Sequence, residues 1–142
     1  MDKNGFNGIE ERLQKLEQCL VKLKKYQELH LTALKDNDEK LDIILYNFQI
    51  AIQCCIDIAN KIISENRFEK PKDFYGSIKI IGNNEIIPSD FADQLAPITG
   101  FRNILVHEYT GIDWDQVQTH MKNLNKFEQF IEFIKDYLKT KS

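Results

Sequence analysis

The chain has 142 residues, 42% hydrophobic and 29% charged, a balance that suits one globular domain over residues 1–142 with a single core. Six glycines and three prolines are too few turn signals for a sandwich or barrel, and no unbroken apolar run approaches the roughly 18 residues of a membrane span. A net charge of −3 weighs against nucleic-acid binding by bulk electrostatics, so any RNA has to be held in a local cationic cleft.

Met1 to Gly5 carries neither the apolar stretch nor the cleavage site of a signal peptide, and a cytoplasmic protein is expected. From residue 9 to about 34, Ile9, Leu13, Leu16, Leu20, Leu23 and Tyr26 recur at spacings of three and four, one stripe of an amphipathic helix. Lys22, Lys24 and Lys25 lie on its polar side. Asp36-Asn37-Asp38 then breaks the pattern and offers capping oxygens to a second helix, about 38–65. Between 43 and 59 apolar residues cover more than half of that helix, which has to be buried in a bundle or at a subunit interface. Ile50, Cys54 and Ile58 are among those needing cover. Asp57 interrupts the pattern, either as a rim carboxylate or as a polar group lining a cleft. Cys54 and Cys55 are expected to be small buried hydrophobes, and no Cys or His pair has the spacing of metal ligands.

Residues 66–88 form an irregular connection with a short helix from Phe74 to Ile81, closed by the turn chemistry of Gly82-Asn83-Asn84. Ser89 is the expected N-cap of a helix over 90–109 that buries Phe91, Leu95, Ile98, Phe101 and Leu105. Pro97 removes a backbone donor inside it and predicts a kink or short break near Ala96. Asp113 or Trp114-Asp115 starts a last helix running to about residue 139, with Val117, Met121, Leu124, Phe127, Ile131, Ile134 and Leu138 at near-heptad spacing. The expected architecture is all-α, a bundle of four long helices and one short one.

Residues 102–109 gather Arg102, Asn103, His107 and Tyr109 among apolar neighbours. At about 100° per residue, Arg102 and Tyr109 share one helical stripe and Asn103 and His107 an adjacent one, provided the helix continues through Tyr109. The inventory suits a phosphodiester. Arginine offers a permanently charged fork for phosphate oxygens, and histidine exchanges protons near neutrality. Asn103 can orient the imidazole or a sugar, and Tyr109 can bond a phosphate or stack on a base. On spacing alone, a histidine at a helix end also fits a cap or a rim position. His30 and His120 sit in polar surroundings with no arginine partner and are given no role.

Arg102-Asn103-Ile104-Leu105-Val106-His107-Glu108-Tyr109, followed by Gly111-Ile112-Asp113, closely resembles the Arg-x4-His-x-Tyr signature of HepT-like toxins in the HEPN superfamily. The similarity extends to Cys55–Ile63, Phe74-Tyr75, Ile86-Ile87-Pro88 and the phenylalanine-rich last helix, over roughly residues 9–138. Pro97 departs from it, lying where the family usually continues the helix. The resemblance implies a HEPN-type helical bundle that pairs as a homodimer, bringing two motifs to a shared cleft. It also implies a metal-independent endoribonuclease toxin without a cofactor, partnered by a minimal-nucleotidyltransferase antitoxin that transfers AMP to Tyr109. Arg102 and His107 would then be catalytic, Asn103 and Asp57 would support the cleft, and neither DNA nor a membrane is an expected partner. The alternative is a non-catalytic interaction module, or an AMP-accepting partner of a nucleotidyltransferase.

Overall fold

The computed structural model describes residues 3–34, 38–107 and 111–141, apart from the side chains of residues 3–7, Val106 and His107. In chain order its helices are α1 (Lys3–Lys24), α2 (Glu39–Asn66), α3 (Phe74–Asn83), α4 (Ser89–Leu95), α5 (Ile98–His107), α6 (Trp114–Lys122) and α7 (Asn125–Lys141), with a 3-10 turn at Leu31–Ala33. No strand occurs among the described residues, and the fold is an all-α bundle.

α2 is the axis of the bundle. Asp38 caps it by accepting from the Lys40 amide at 2.8 Å, and Arg67 ends it in the left-handed conformation. Ile44, Phe48, Ala51, Ile52, Ile56, Ile58, Ala59 and Ile62 are completely buried along it. Among the described residues only α2 is long and apolar enough to qualify as a membrane span, but 61% of its most apolar window is buried inside the protein, as in the core helix of a bundle. One copy of the chain already covers Ile58 and Cys54, and Ile50 is half-buried. The apolar girth of α2 is therefore explained largely by its own neighbours and does not by itself demand a second subunit. Ile43 and Tyr46 are the large apolar side chains of α2 left exposed.

α1 runs antiparallel to α2, since Arg12 meets Asp57 while Gly8 lies against Lys61. α7 in turn runs antiparallel to α1, with ion pairs from Lys24 to Glu128 at 2.7 Å and from Lys135 to Glu17 at 3.4 Å. The far end of α2 is tied to α7 by Asn66, whose amide donates to the Tyr137 hydroxyl at 2.8 Å.

Several boundaries differ from the periodicity. α1 stops at Lys24, about ten residues early, and the chain turns toward α6: the Gln27 amide donates to the Met121 carbonyl at 3.0 Å, and the Leu31 amide donates to Gln118 Oε1 at 2.8 Å. These long-range bonds replace the helical ones that local pattern favoured. Pro88, not Ser89, occupies the N-cap of α4, and Ser89 is its first helical residue. The expected 90–109 helix divides at Ala96-Pro97 into α4 and α5, because Pro97 cannot donate to the ladder. The last helix divides at Asn123-Leu124, which leaves α6 free to turn His120 toward the core. Asp113 caps α6, accepting from the Asp115 and Gln116 amides. Asp36 and Asn37, the other capping candidates before α2, lie outside the described residues.

α3 and α4 pack backbone to backbone. A Cβ placed on Gly82 would lie 2.4 Å from the Cβ of Ala92, and a Lys79–Asp93 ion pair closes the same seam. Gly82→Ala is expected to destabilise the protein by about 1–3 kcal/mol through overpacking, with Ala92→Gly in the same chain recovering part of the loss. Urea unfolding of the two single variants and the double variant checks the coupling.

Candidate active site

α5 is fastened to the core by Phe101. Its ring meets Phe48 edge-on, 5.7 Å between centroids, and stacks on the His120 imidazole at 4.4 Å. Phe48 also contacts Phe127, so α2, α5, α6 and α7 converge on one aromatic cluster. His120 is thus half-buried between rings, not in the polar surroundings its sequence neighbours suggest. Burial lowers its proton affinity below the ordinary histidine value, and the Lys126 charge acts in the same direction. The unfolded chain, with a histidine pKa of about 6.5, then binds more protons than the folded one just below that pH. The stabilisation is complete above about pH 6.5 and is lost as the pH falls toward the folded-state value. Melting temperature should therefore decline on acidification from pH 7 to 5.5, and His120→Phe should flatten that decline.

With Phe101 anchored, the next residue is directed toward α2. Arg102 Nε donates to Gln53 Oε1 at 3.0 Å, Gln53 Nε2 donates to Asp57 Oδ1 at 2.8 Å, and Arg12 Nε donates to Asp57 Oδ2 at 3.3 Å. Arg12 also donates to the Gly8 carbonyl at 3.2 Å. The relay spans α5, α2 and α1, and it fixes Arg102 through Nε; among the described residues its other guanidinium nitrogens have no hydrogen-bond partner. The guanidinium lies 5.4 Å from the centre of the Phe74 ring, a cation–π contact that holds its plane.

The expected residues are therefore only partly brought together. Arg102 and Asp57 are joined through Gln53, and Asp57 is one-third exposed, so it is neither a free rim carboxylate nor a buried one. Asn103 is exposed and lines a neighbouring cavity of about 520 Å³ with Asp73, Phe74, Tyr75, Thr99 and Gly100. Of His107 only the backbone is described, as the last residue of α5 and one helical turn beyond Asn103. Tyr109 and Glu108 lie outside the described residues, and with them the expectation that the helix continues through Tyr109. Gln53, Arg12 and Phe74 were not anticipated. Gln53 and Asp57, four apart on one helix, carried a detectable signal; Arg12, 45 residues from Asp57, carried none.

The cysteines lie outside this chemistry. Cys19, Cys54 and Cys55 are buried and free. Burial raises all three thiols, Cys54 to about 11 with Cys19 and Asp57 adding to the effect. Such thiols are poor nucleophiles at neutral pH.

Comparison with known proteins agrees with the motif and the bundle. The profile of the ribonuclease HepT-like family matches residues 16–134. A tRNA nuclease HepT from Aphanizomenon flos-aquae is 32% identical over 133 residues, which is 93% of this chain and 90% of that protein. An mRNA nuclease HepT from Shewanella oneidensis is 35% identical over 95 residues, 66% of this chain and 71% of that protein. Among solved structures, a tri-AMPylated Shewanella oneidensis HEPN toxin in complex with an MNT antitoxin superposes with a TM-score of 0.80 at 27% identity, covering 96% of this chain and 99% of the toxin. With the family profile spanning most of its length and an arginine-bearing α5 set against α2, this chain belongs to the HepT-like ribonuclease family.

Proposed function

We propose that the protein is the toxin of a toxin–antitoxin pair, a metal-independent endoribonuclease acting on RNA in the cytoplasm. The observation that carries this is Arg102, held by Gln53 and Phe74 with guanidinium nitrogens that no described residue engages, on the helix that also carries His107. His107 takes the proton of a ribose 2′-hydroxyl as the 2′-oxygen bonds to the adjacent phosphorus. The phosphorus–5′-oxygen bond breaks, and Arg102 stabilises the charge that gathers on the phosphate oxygens. Protonation of the leaving 5′-oxygen falls to the His107 of a second copy in a homodimer. Apolar exposure at Ile43 and Tyr46 supports such pairing. Asn103 borders the cleft, and Asp57 keeps Gln53 and Arg102 in place. Arginine and histidine together supply acid, base and charge stabilisation, so the reaction needs no metal and no cofactor.

The partner is a minimal-nucleotidyltransferase antitoxin that transfers AMP to Tyr109, a reading supported by the AMPylated state of the structurally similar toxin. AMP there adds negative charge and bulk seven residues from Arg102, occupying the phosphate site. Induced expression should arrest growth when the chain is produced alone and should be harmless beside its nucleotidyltransferase. A chain that merely accepts nucleotide as an interaction module would be harmless in both strains. Co-expression should also add one or more AMP units to the mass of the protein, and Tyr109→Phe should remove that gain; an unchanged gain would place the modification elsewhere.

A further inference from the structure

A second cavity lies beside the first and shares Phe74 in its wall. Its volume is about 660 Å³, and its walls include Asn60, Arg67, Lys70, Lys72, Phe74 and Ser77, between the end of α2 and the start of α3. The two cavities share Lys72, Asp73 and Phe74, so one trough runs from Asn103 on the motif helix to Arg67. In a chain of net charge −3, the Arg67 end of this trough carries three cations against one carboxylate. That carboxylate, Asp73, is engaged in capping α3 through the Gly76 amide at 2.7 Å. Arg67, Lys70 and Lys72 are exposed and have no ion-pair partner among the described residues. Phe68 and Phe74, in the walls of the same cavity, pack against the core, and the exposed Tyr75 lines the Asn103 end.

Arg67 occupies its place at a conformational cost. It sits at φ 56°, ψ 38° just past the end of α2, where the Phe68 amide donates back to the Ile63 carbonyl at 3.0 Å. Glycine is the usual residue at that position of the motif, because a β-carbon is disfavoured there. An arginine at this point sets a cation at the mouth of the trough.

We propose that this trough holds the sugar–phosphate backbone of single-stranded RNA continuing from the Arg102 site, with Arg67, Lys70 and Lys72 as its phosphate contacts. The ligand class rests on the ribonuclease reading; the location rests on the trough itself. Cations without ion-pair partners among the described residues, in a cavity that Phe68 and Phe74 also line and without a base-reading pattern, suit a backbone track that tolerates many sequences. They also resolve how an acidic protein engages a polyanion: the cations are local and lead from the reacting phosphate.

The test uses full-length protein carrying His107→Ala, so that RNA stays intact, titrated against a fluorescent random-sequence single-stranded RNA of about 20 nucleotides, longer than the site sizes of typical single-strand grooves. Adding Arg67→Ala, Lys70→Ala and Lys72→Ala should weaken binding about tenfold or more near 0.1 M salt and reduce the slope of log affinity against log salt by about two. Arg67→Gly separates the side chain from the backbone: it should melt at a higher temperature yet bind RNA about threefold more weakly, as loss of one phosphate contact requires. Equal affinity and slope in the triple variant would overturn the proposal and leave the trough to an acidic protein partner, as would no RNA binding by the parent. Cleavage by the protein with His107 intact is scored separately. Groove-dependent binding without cleavage defeats the ribonuclease reading and leaves the groove standing. Cleavage with groove-independent binding does the reverse.

Discussion

His107→Ala is expected to lower the rate of RNA cleavage by about 10²–10⁴-fold, the range that one general acid–base group supplies, while the melting temperature stays unchanged. The basis is positional. His107 lies on α5 one helical turn beyond Asn103, and α5 is held in the core by Phe101 and Leu105, which the substitution leaves in place. Arg102→Ala should cause a comparable loss of activity. Arg102→Lys should recover little of it, because an ammonium cannot keep the bond to Gln53, the face against Phe74 and a phosphate contact at once. Gln53→Ala should have a smaller effect, appearing mainly in kcat, since it loosens the guanidinium without removing it. Circular dichroism melts beside the rate measurements separate these outcomes from unfolding.

Phe101→Ala should instead cost about 3–5 kcal/mol of stability, the usual range for emptying a buried phenylalanine site. Phe101 is 2% exposed and touches both Phe48 and His120, so its loss leaves a void shared by α2, α5 and α6. Set against a typical total of about 5–15 kcal/mol, that is a large fraction of the fold. The variant should lose activity at 37 °C by unfolding and regain most of it in the cold, whereas His107→Ala should be inactive at every temperature. Phe101→Leu, which keeps most of the volume, should lie near the parent in melting temperature.

The parts of the fold legible in sequence are those that local chemistry decides. The second helix was expected over 38–65 and runs Glu39–Asn66, because its apolar period is long and Asp38 caps it. Pro97 marks the break between α4 and α5 for the same local reason. The end of α1 was not legible, since Tyr26 and Leu29 continue its period while Gln118 and the Met121 carbonyl, some ninety residues away, draw the chain out of the helix. His120 shows the same limit: its sequence neighbours are polar, yet the break at Asn123 turns it onto Phe101.

The site divides along the same line. Arg102 and His107 stood out because their chemistry and spacing lie within one helix. Asp57 could be noticed as a misfit but not interpreted, because its partners are Gln53 on its own helix and Arg12 on another. The cations of the α2–α3 trough come from a turn and an irregular connection, where no periodicity marks a shared surface.

The chemistry of the cut separates this mechanism from a metal-dependent one. Purified protein incubated with RNA in excess EDTA should cleave it and leave 2′,3′-cyclic phosphate and 5′-hydroxyl ends, the products of 2′-oxygen attack with His107 as base. RNA that stays intact until a divalent metal is added, or fragments that carry 5′-phosphates, would contradict it.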